Sequence, residues 1–299
     1  MNVVIAGSTG LDDIESSYGR AENVLGGSAI YASIAASFFS QPGIISCYGE
    51  DFPKKYLEVL RKRKIDLQGF QKVKGKNFHW KGKYGKDLNE AITLKTDLNS
   101  MLEFKPIVPD SYKEAEFIML GNLDPEIQLK LLEQFEKPKF IISDTMNYWI
   151  ESKKEKVLEV IDSVDIALMN GSEAKMLFNT SNLIHASKEL LKRNSEFAVI
   201  KKGEHGAMLF TESKTFIAPA YPLEHIKDPT GAGDCFGGAI IGYLSSIPEI
   251  NFKEIRKAIA FGSAIASLNV EEFSTKKLEA LTMKEINGRL KEFKELSEF

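Results

Sequence analysis

The chain is short of the residues on which several large protein classes depend. Two cysteines, Cys47 and Cys235, stand among 299 residues, too few for a disulfide framework and not spaced as metal ligands. The four histidines, His79, His185, His205 and His225, are scattered without ligand spacing, so no metal cluster is expected. No run of about 18 apolar residues occurs, and Met1 to Ile5 carries no basic leader, so neither a membrane span nor export is expected and a reducing cytoplasm fits. Charge of one sign is missing too: 39 basic against 42 acidic residues give a net charge of -3, which offers no field for nucleic acid or an anionic membrane. Nor do the two commonest nucleotide-binding patterns appear. Gly7-Ser8-Thr9-Gly10 lacks the G-x-G-x-x-G spacing of a dinucleotide fold, and no G-x-x-x-x-G-K-S/T occurs. Internal repeats and low-complexity segments are absent.

What is present is ample apolar content, 43%, arranged with a regular texture. Short, largely apolar runs at residues 3–6, 43–48, 117–120, 140–142, 166–169 and 197–200 read as buried strands, 3–6 being apolar throughout. Helical patterns separate them at 30–39, 54–64, 125–135 and 187–193, and further helices are expected at 251–268 and 283–296. Strands alternating with helices predict a parallel sheet with right-handed crossovers, an α/β fold whose binding groups lie in the loops at the carboxyl ends of the strands. Residues 70–99 differ. Half-polar stretches with Phe78, Trp80, Tyr84 and Thr93, punctuated by Gly75, Gly82 and Gly85, read as antiparallel strands outside the main sheet. Those aromatics either stack on a substrate ring or pack the one buried face of a small sheet.

The chain is organised around residues 228–244, Asp-Pro-Thr-Gly-Ala-Gly-Asp-Cys-Phe-Gly-Gly-Ala-Ile-Ile-Gly-Tyr-Leu. Gly231 and Gly233 permit backbone angles and approaches closed to other residues. Phe236, Ala239, Ile240, Tyr243 and Leu244 form one apolar stripe of a helix. The unpaired N–H groups and positive dipole end at Gly231, Ala232 and Gly233 suit an anion, a phosphate above all. Asp234 at this point is either a helix cap or, beside a phosphate cradle, the base that takes a proton from an attacking hydroxyl.

D-x-T-G-A-G-D-x-F resembles the second signature of the PfkB, or ribokinase-like, family of sugar and nucleoside kinases, and the resemblance extends over most of the chain. It implies a three-layer α/β/α fold with a mostly parallel central sheet, a single kinase domain over residues 1–299, and a small β lid formed by about 10–25 and 69–99. By position it implies Asp234 as catalytic base and the Gly231, Ala232 and Gly233 backbone as anion hole. Asp12, after the first strand, is implied to bind substrate hydroxyls; seen alone it is equally a turn acid. Gly26, Gly27 and Ser28 resemble the first family signature, G-G-x-x-x-N, and line the substrate with Tyr31 and, on the lid, Trp80; Tyr31 stands where the family usually has Asn. Gly49-Glu50-Asp51 resembles the family's G-x-D segment.

Asn170-Gly171-Ser172-Glu173 resembles the N-x-x-E motif, implying that Asn170 and Glu173 attend the nucleotide, with Glu173 placing Mg2+ through water. A bare reading makes Ser172 a helix cap and Glu173 a first-turn acid. Lys201, Gly203 and Gly206 fall where the family has T-x-G-x-x-G, with a lysine in place of Thr, and join Thr230 as nucleotide-binding residues. Asp228, with a late loop at 267–274, is the candidate contact for K+. The expectation is an ATP- and Mg2+-dependent phosphotransferase acting on a sugar or nucleoside hydroxyl, in a homodimer formed through the lid. Tyr31 and the aromatic lid lean toward a nucleoside. The alternative from another class is a non-catalytic nucleotide- or sugar-binding regulator.

Overall fold

The computed structural model of the chain describes residues 1–89, 91–193 and 195–297; of the expected lid and domain, Glu90, Asn194, Glu298 and Phe299 lie outside the described residues. The strands, in chain order, are Val3–Ala6 (β1), Gly10–Ser16 (β2), Gly19–Gly26 (β3), Gly43–Tyr48 (β4), Phe70–Lys72 (β5), Phe78–Tyr84 (β6) and Ala91–Asp97 (β7). They continue as Phe117–Leu120 (β8), Phe140–Ser143 (β9), Ile166–Asn170 (β10), Phe197–Lys201 (β11), Ala207–Phe210 (β12) and Thr215–Ala218 (β13). The helices are Ser28–Ala36 (α1), Lys54–Lys62 (α2), Pro125–Leu132 (α3), Asn147–Ser152 (α4), Lys154–Ile161 (α5) and Gly171–Leu177 (α6). Leu183–Leu191 (α7), Ala232–Ser245 (α8), Phe252–Asn269 (α9), Lys276–Ala280 (α10) and Met283–Ser297 (α11) complete them. Among the described residues no helix is long and apolar enough to cross a membrane.

Nine strands form the main sheet in the order β13-β12-β11-β10-β9-β8-β1-β4-β5. Pairing from β5 to β11 is parallel, and β12 and β13 add antiparallel at one edge. Alternation of side chains splits the core in two. Val4, Ala6, Ile118, Leu120, Met169 and Ile200 pack against Leu131, Val157, Val160, Leu177 and Leu190 of α3, α5, α6 and α7. Val3, Ile5, Phe117, Met119, Leu168 and Val199 pack on the opposite side against Phe236, Ile240, Ile241, Leu244, Ile255 and Ile259 of α8 and α9. Strands apolar at every position must be covered on both faces, so the result is a three-layer α/β/α fold.

The seat of α8 is decided by small residues. A Cβ at Gly238 would fall on the backbone of Ala32, and one at Gly242 would lie 2.8 Å from the Ala36 Cα. The two helices therefore approach backbone to backbone, and the loops that precede them, at 26–27 and 228–231, arrive together above the sheet.

A second sheet, ordered β3-β2-β6-β7, stands apart. Here the observed boundary corrects the expected 69–99. β5 pairs in parallel with β4 in the main sheet, because Phe70 is buried against Tyr48 and Phe52, so the second segment of the small sheet begins at Phe78. The β12–β13 hairpin was not anticipated. α7 starts at Leu183, not at 187, because Asn182 caps it by accepting from the Ile184 and His185 amides at 2.8 and 3.4 Å.

Candidate active site

α8 opens at Gly231, which holds φ 75° and ψ 0°. A Cβ there would collide with three carbons of the Tyr31 ring, so only glycine satisfies both the left-handed angle and the contact. The helix starts in the next residue; the Ala232 amide donates to Pro229 O at 3.2 Å, and first-turn amides lack intrahelical partners.

Asp234, in that first turn, receives no hydrogen bond from another residue among the described ones. Burial, then the charge of Asp144, raises its carboxyl from 3.8 to about 7, against the opposing pull of Lys201. A carboxyl so placed is half ionised near neutrality, which is where a general base works best.

Lys201, the last residue of β11, pairs with Asp144 at the end of β9; their side chains are 18% and 6% exposed. The ammonium nitrogen lies 3.0 Å from where a Gly233 Cβ would stand. Glu173 is 8% exposed, and burial raises its carboxyl to about 7 while Lys201 draws it down and Asp144 and Asp234 push it up. One lysine thus sits among three carboxylates. Asn170, not Ser172, is the cap of α6: its side chain accepts from the Glu173 amide at 2.8 Å, and Glu173 Oε2 accepts from the Asn170 amide at 2.7 Å, a reciprocal capping box.

On the other side of the cleft, Asp12 lies on β2 instead of in a turn. Its carboxylate fills the space a Gly26 side chain would need, and burial, with the charges of Asp228, Asp13 and Asp234, holds it well above the ordinary carboxylate range. Register with β6 places Asp12 opposite Trp80 and Ile14 opposite Gly82. Asp12, Ile14, Trp80 and Tyr84 therefore share one face of the small sheet. Trp80 donates its indole N–H to Thr93 Oγ1 at 3.2 Å, and its ring covers Gly82. Tyr84 reaches further, its hydroxyl 3.0 Å from Thr230 Oγ1.

Other expected substrate contacts have partners within the chain. Gly27, at φ 102°, brings its backbone against Ser8 O. Ser28 exchanges hydrogen bonds with Ser8: its hydroxyl accepts from the Ser8 amide at 3.0 Å, and its amide donates to Ser8 Oγ at 3.1 Å. Tyr31 is 1% exposed, and its hydroxyl is buried with no hydrogen-bond partner among the described residues, raised well above its usual range by burial and by Asp228 and Asp12.

Asp228 is fully buried, with Oδ1 accepting from the Thr230 amide at 2.9 Å and Oδ2 from the Ser274 amide at 2.8 Å. Asn269 donates to Thr230 O at 3.0 Å. The central motif is thus tied to the late loop. Gly203 and Gly206 take φ 55° and 86°, and Asn89, in the connection between β6 and β7, rests on Gly203, its Oδ1 accepting from the Glu204 amide at 3.4 Å.

Sequence reasoning assigned no role to Asp144, at the end of the run 140–142, and missed Tyr84, as partner of Thr230, and Asn269. Asp144 carried a signal, a carboxylate at the carboxyl end of an apolar run; the other two depend on contacts 146 and 39 residues apart in sequence. Among the described residues no three His, Cys, Asp or Glu converge as metal ligands. Glu173 Oε1 is left over from the capping box, and a single carboxylate is chemically adequate for Mg2+, which keeps most of its waters.

A family model for pfkB family carbohydrate kinases matches residues 3–281. The chain is 30% identical over 255 residues to a cytidine kinase of Thermococcus kodakarensis, covering 83% of this chain and 90% of that protein. In structure it is similar to the nucleoside kinase of Methanocaldococcus jannaschii, an archaeal member of the ribokinase family, with TM-score 0.79, 22% identity and 98% and 99% of the two chains covered. It is also similar to a ribokinase-like protein of E. coli solved in complex with ATP and Mg2+, with TM-score 0.81, 18% identity and 97% and 99% covered. These two likenesses show the ribokinase fold.

Proposed function

The chain belongs to the pfkB family of carbohydrate kinases, and from that membership we propose which residues carry its reaction and which acceptor it takes. The enzyme is an ATP-dependent phosphotransferase that moves the γ-phosphate to a hydroxyl of a sugar or nucleoside. Asp234 is the general base: as the acceptor oxygen bonds to the γ-phosphorus and the β–γ bridging oxygen departs with ADP, the acceptor proton passes to this carboxylate. The observation that carries the assignment is a buried carboxyl raised to about 7 that accepts no hydrogen bond from another residue among the described ones, one turn from a glycine that must stay left-handed.

The backbone of Gly231, Ala232 and Gly233 holds the phosphoryl group in flight, where preorganised donors count most, through the Gly231 and Gly233 amides, the Ala232 amide being given to Pro229 O. Asn170, Thr230, Lys201, Gly203 and Gly206 form the nucleotide side. Glu173 would hold Mg2+ through water, and the ion would neutralise charge on the polyphosphate. Asp12 and Tyr31 orient the acceptor, with Trp80 above it, while Gly26, Gly27 and Ser28 support Asp12 and the strand end beneath. The small sheet acts as the lid of a single domain. Its exposed Ile92 and Leu94 are the surface for a second copy of the chain. K+ at Asp228 would share a carboxylate already bonded to two amides. A cytoplasmic setting fits the two free, buried thiols.

We favour a nucleoside over a sugar as acceptor, on the relation to a cytidine kinase and on the two tyrosines, Tyr31 and Tyr84, beside Asp12. The test is acceptor-stimulated ADP release with Mg-ATP across cytidine, other nucleosides, ribose and hexoses. Stimulation by a nucleoside at micromolar to millimolar concentration is expected. Stimulation by sugars alone overturns the acceptor assignment, and none by any acceptor favours a non-catalytic binder.

A further inference from the structure

Lys201 and Asp144 stand at the carboxyl ends of β11 and β9, and β10 runs between them. Two strand spacings are roughly 10 Å, so the lysine stem has to cross the end of β10 to meet its partner. Asp144 is itself fixed. Its Oδ1 accepts from the Thr145 amide at 3.0 Å, and its carbonyl accepts from Gln128 Nε2 at 3.1 Å, which also donates to Gly121 O at 2.9 Å. The side chain that lies across β10 passes close enough to α8 to put its nitrogen over Gly233.

A buried ion pair is a poor means of stabilising a fold, since apolar residues of like volume serve as well or better. This one also occupies the sheet top and not the core. Around it the balance of charge is negative, with Asp144, Glu173 and Asp234 against one ammonium, and the anion expected at Gly231 to Gly233 adds more.

Resting on the kinase reading above, we propose that Asp144 is a positioning residue for phosphoryl transfer: it holds the Lys201 ammonium over the Gly233 backbone, beside the seat of the transferring phosphoryl group. Lys201 is the residue that touches the phosphate, and Asp144 reaches the phosphate only through it, while its charge separately raises the Asp234 carboxyl. The pairing keeps the long lysine stem from retreating to solvent and sets the cation in place before ATP arrives, where a misplacement of about 1 Å can cost on the order of 100-fold in rate.

Asp144→Asn, Lys201→Met and the double variant are compared by steady-state kinetics, with ATP binding and thermal melting measured alongside. Asp144→Asn is expected to lower kcat ~10- to 100-fold while KM for ATP changes less than ~3-fold. The double variant is expected to lose much less than the product of the two single losses, because the two side chains form one contact and only the direct effect of Asp144 on the Asp234 carboxyl is left to add. A wild-type kcat in Asp144→Asn, or losses that multiply in full in the double variant, would overturn the proposal, as would a change in melting temperature alone. Should Asp144→Asn fail to fold, Lys201→Arg takes its place: it keeps the charge and moves it, so a ~10-fold fall in kcat with the fold intact is expected and an unchanged kcat refutes. A wild-type enzyme that no acceptor stimulates sinks the kinase reading itself, an outcome distinct from active enzyme with indifferent variants.

Discussion

Replacing Asp234 by Asn should separate activity from stability, moving the two in opposite directions. The wild-type carboxyl titrates at about 7 in the fold against 3.8 for an unburied one, with burial the chief cause and the Asp144 charge the next. At about 1.4 kcal/mol for each factor of ten, ionising it in place costs on the order of 4 kcal/mol at most. Lys201 loses an anionic neighbour in the variant, which reduces the expected gain to ~1–3 kcal/mol. The sign follows from proton binding. The folded carboxyl holds its proton more tightly than the unfolded one, so its favourable contribution is complete below about pH 4 and is lost as pH rises through about 7. Asparagine carries no charge at any pH.

Asp234→Asn should therefore melt above wild type at pH 8 by several degrees, and the difference should shrink toward pH 5. Its kcat should fall at least ~100-fold, the low end for loss of a general base. Thermal melts at pH 5 and 8, with ADP release on the same preparations, test both halves. A variant less stable than wild type at pH 8, or one with near-normal turnover, would refute the assignment.

Gly231→Ala should lose ~1–3 kcal/mol of stability from its φ of 75° and its collision with Tyr31, and most activity with it; a wild-type melting curve would contradict the contact. Glu173→Gln keeps the capping box, since Gln also serves at that position, while removing the charge; the Mg2+ concentration for half-maximal rate should rise ~10-fold, and an unchanged Mg2+ titration would remove Glu173 from the metal's surroundings. Tyr84→Phe breaks the 3.0 Å bond to Thr230, worth about 1 kcal/mol, and should raise acceptor KM ~3- to 10-fold more than it lowers kcat, as fluorescence or kinetic titration would reveal. KCl should raise the melting temperature above that in NaCl at equal ionic strength if Asp228 takes part in a K+ site, and equal melts would dismiss it.

The α/β class, the strands at 43–48 and 117–120 to the residue, and Asp234 at the mouth of a helix were all legible in the order of residues. Each rests on local rules: apolar runs must be buried on both faces, and a left-handed turn ahead of an apolar stripe needs glycine. Other features came only with the tertiary structure. Phe70 to Lys72 joins the main sheet because Phe70 finds Tyr48 and Phe52; no property of the three residues themselves distinguishes that sheet from the small one. Asn170 took the capping role over Ser172 because strand β10 ends one residue later than its apolar run. Above all, the company Asp234 keeps was decided by the fold. Asp144 and Lys201 are separated from it by 90 and 33 positions in the chain, and only strand order in the sheet sets their charges beside its carboxyl. A motif names the group that reacts, because the amides and the carboxylate are neighbours along the backbone. The field in which that group reacts is a sum over distances in space, and those belong to the folded molecule alone.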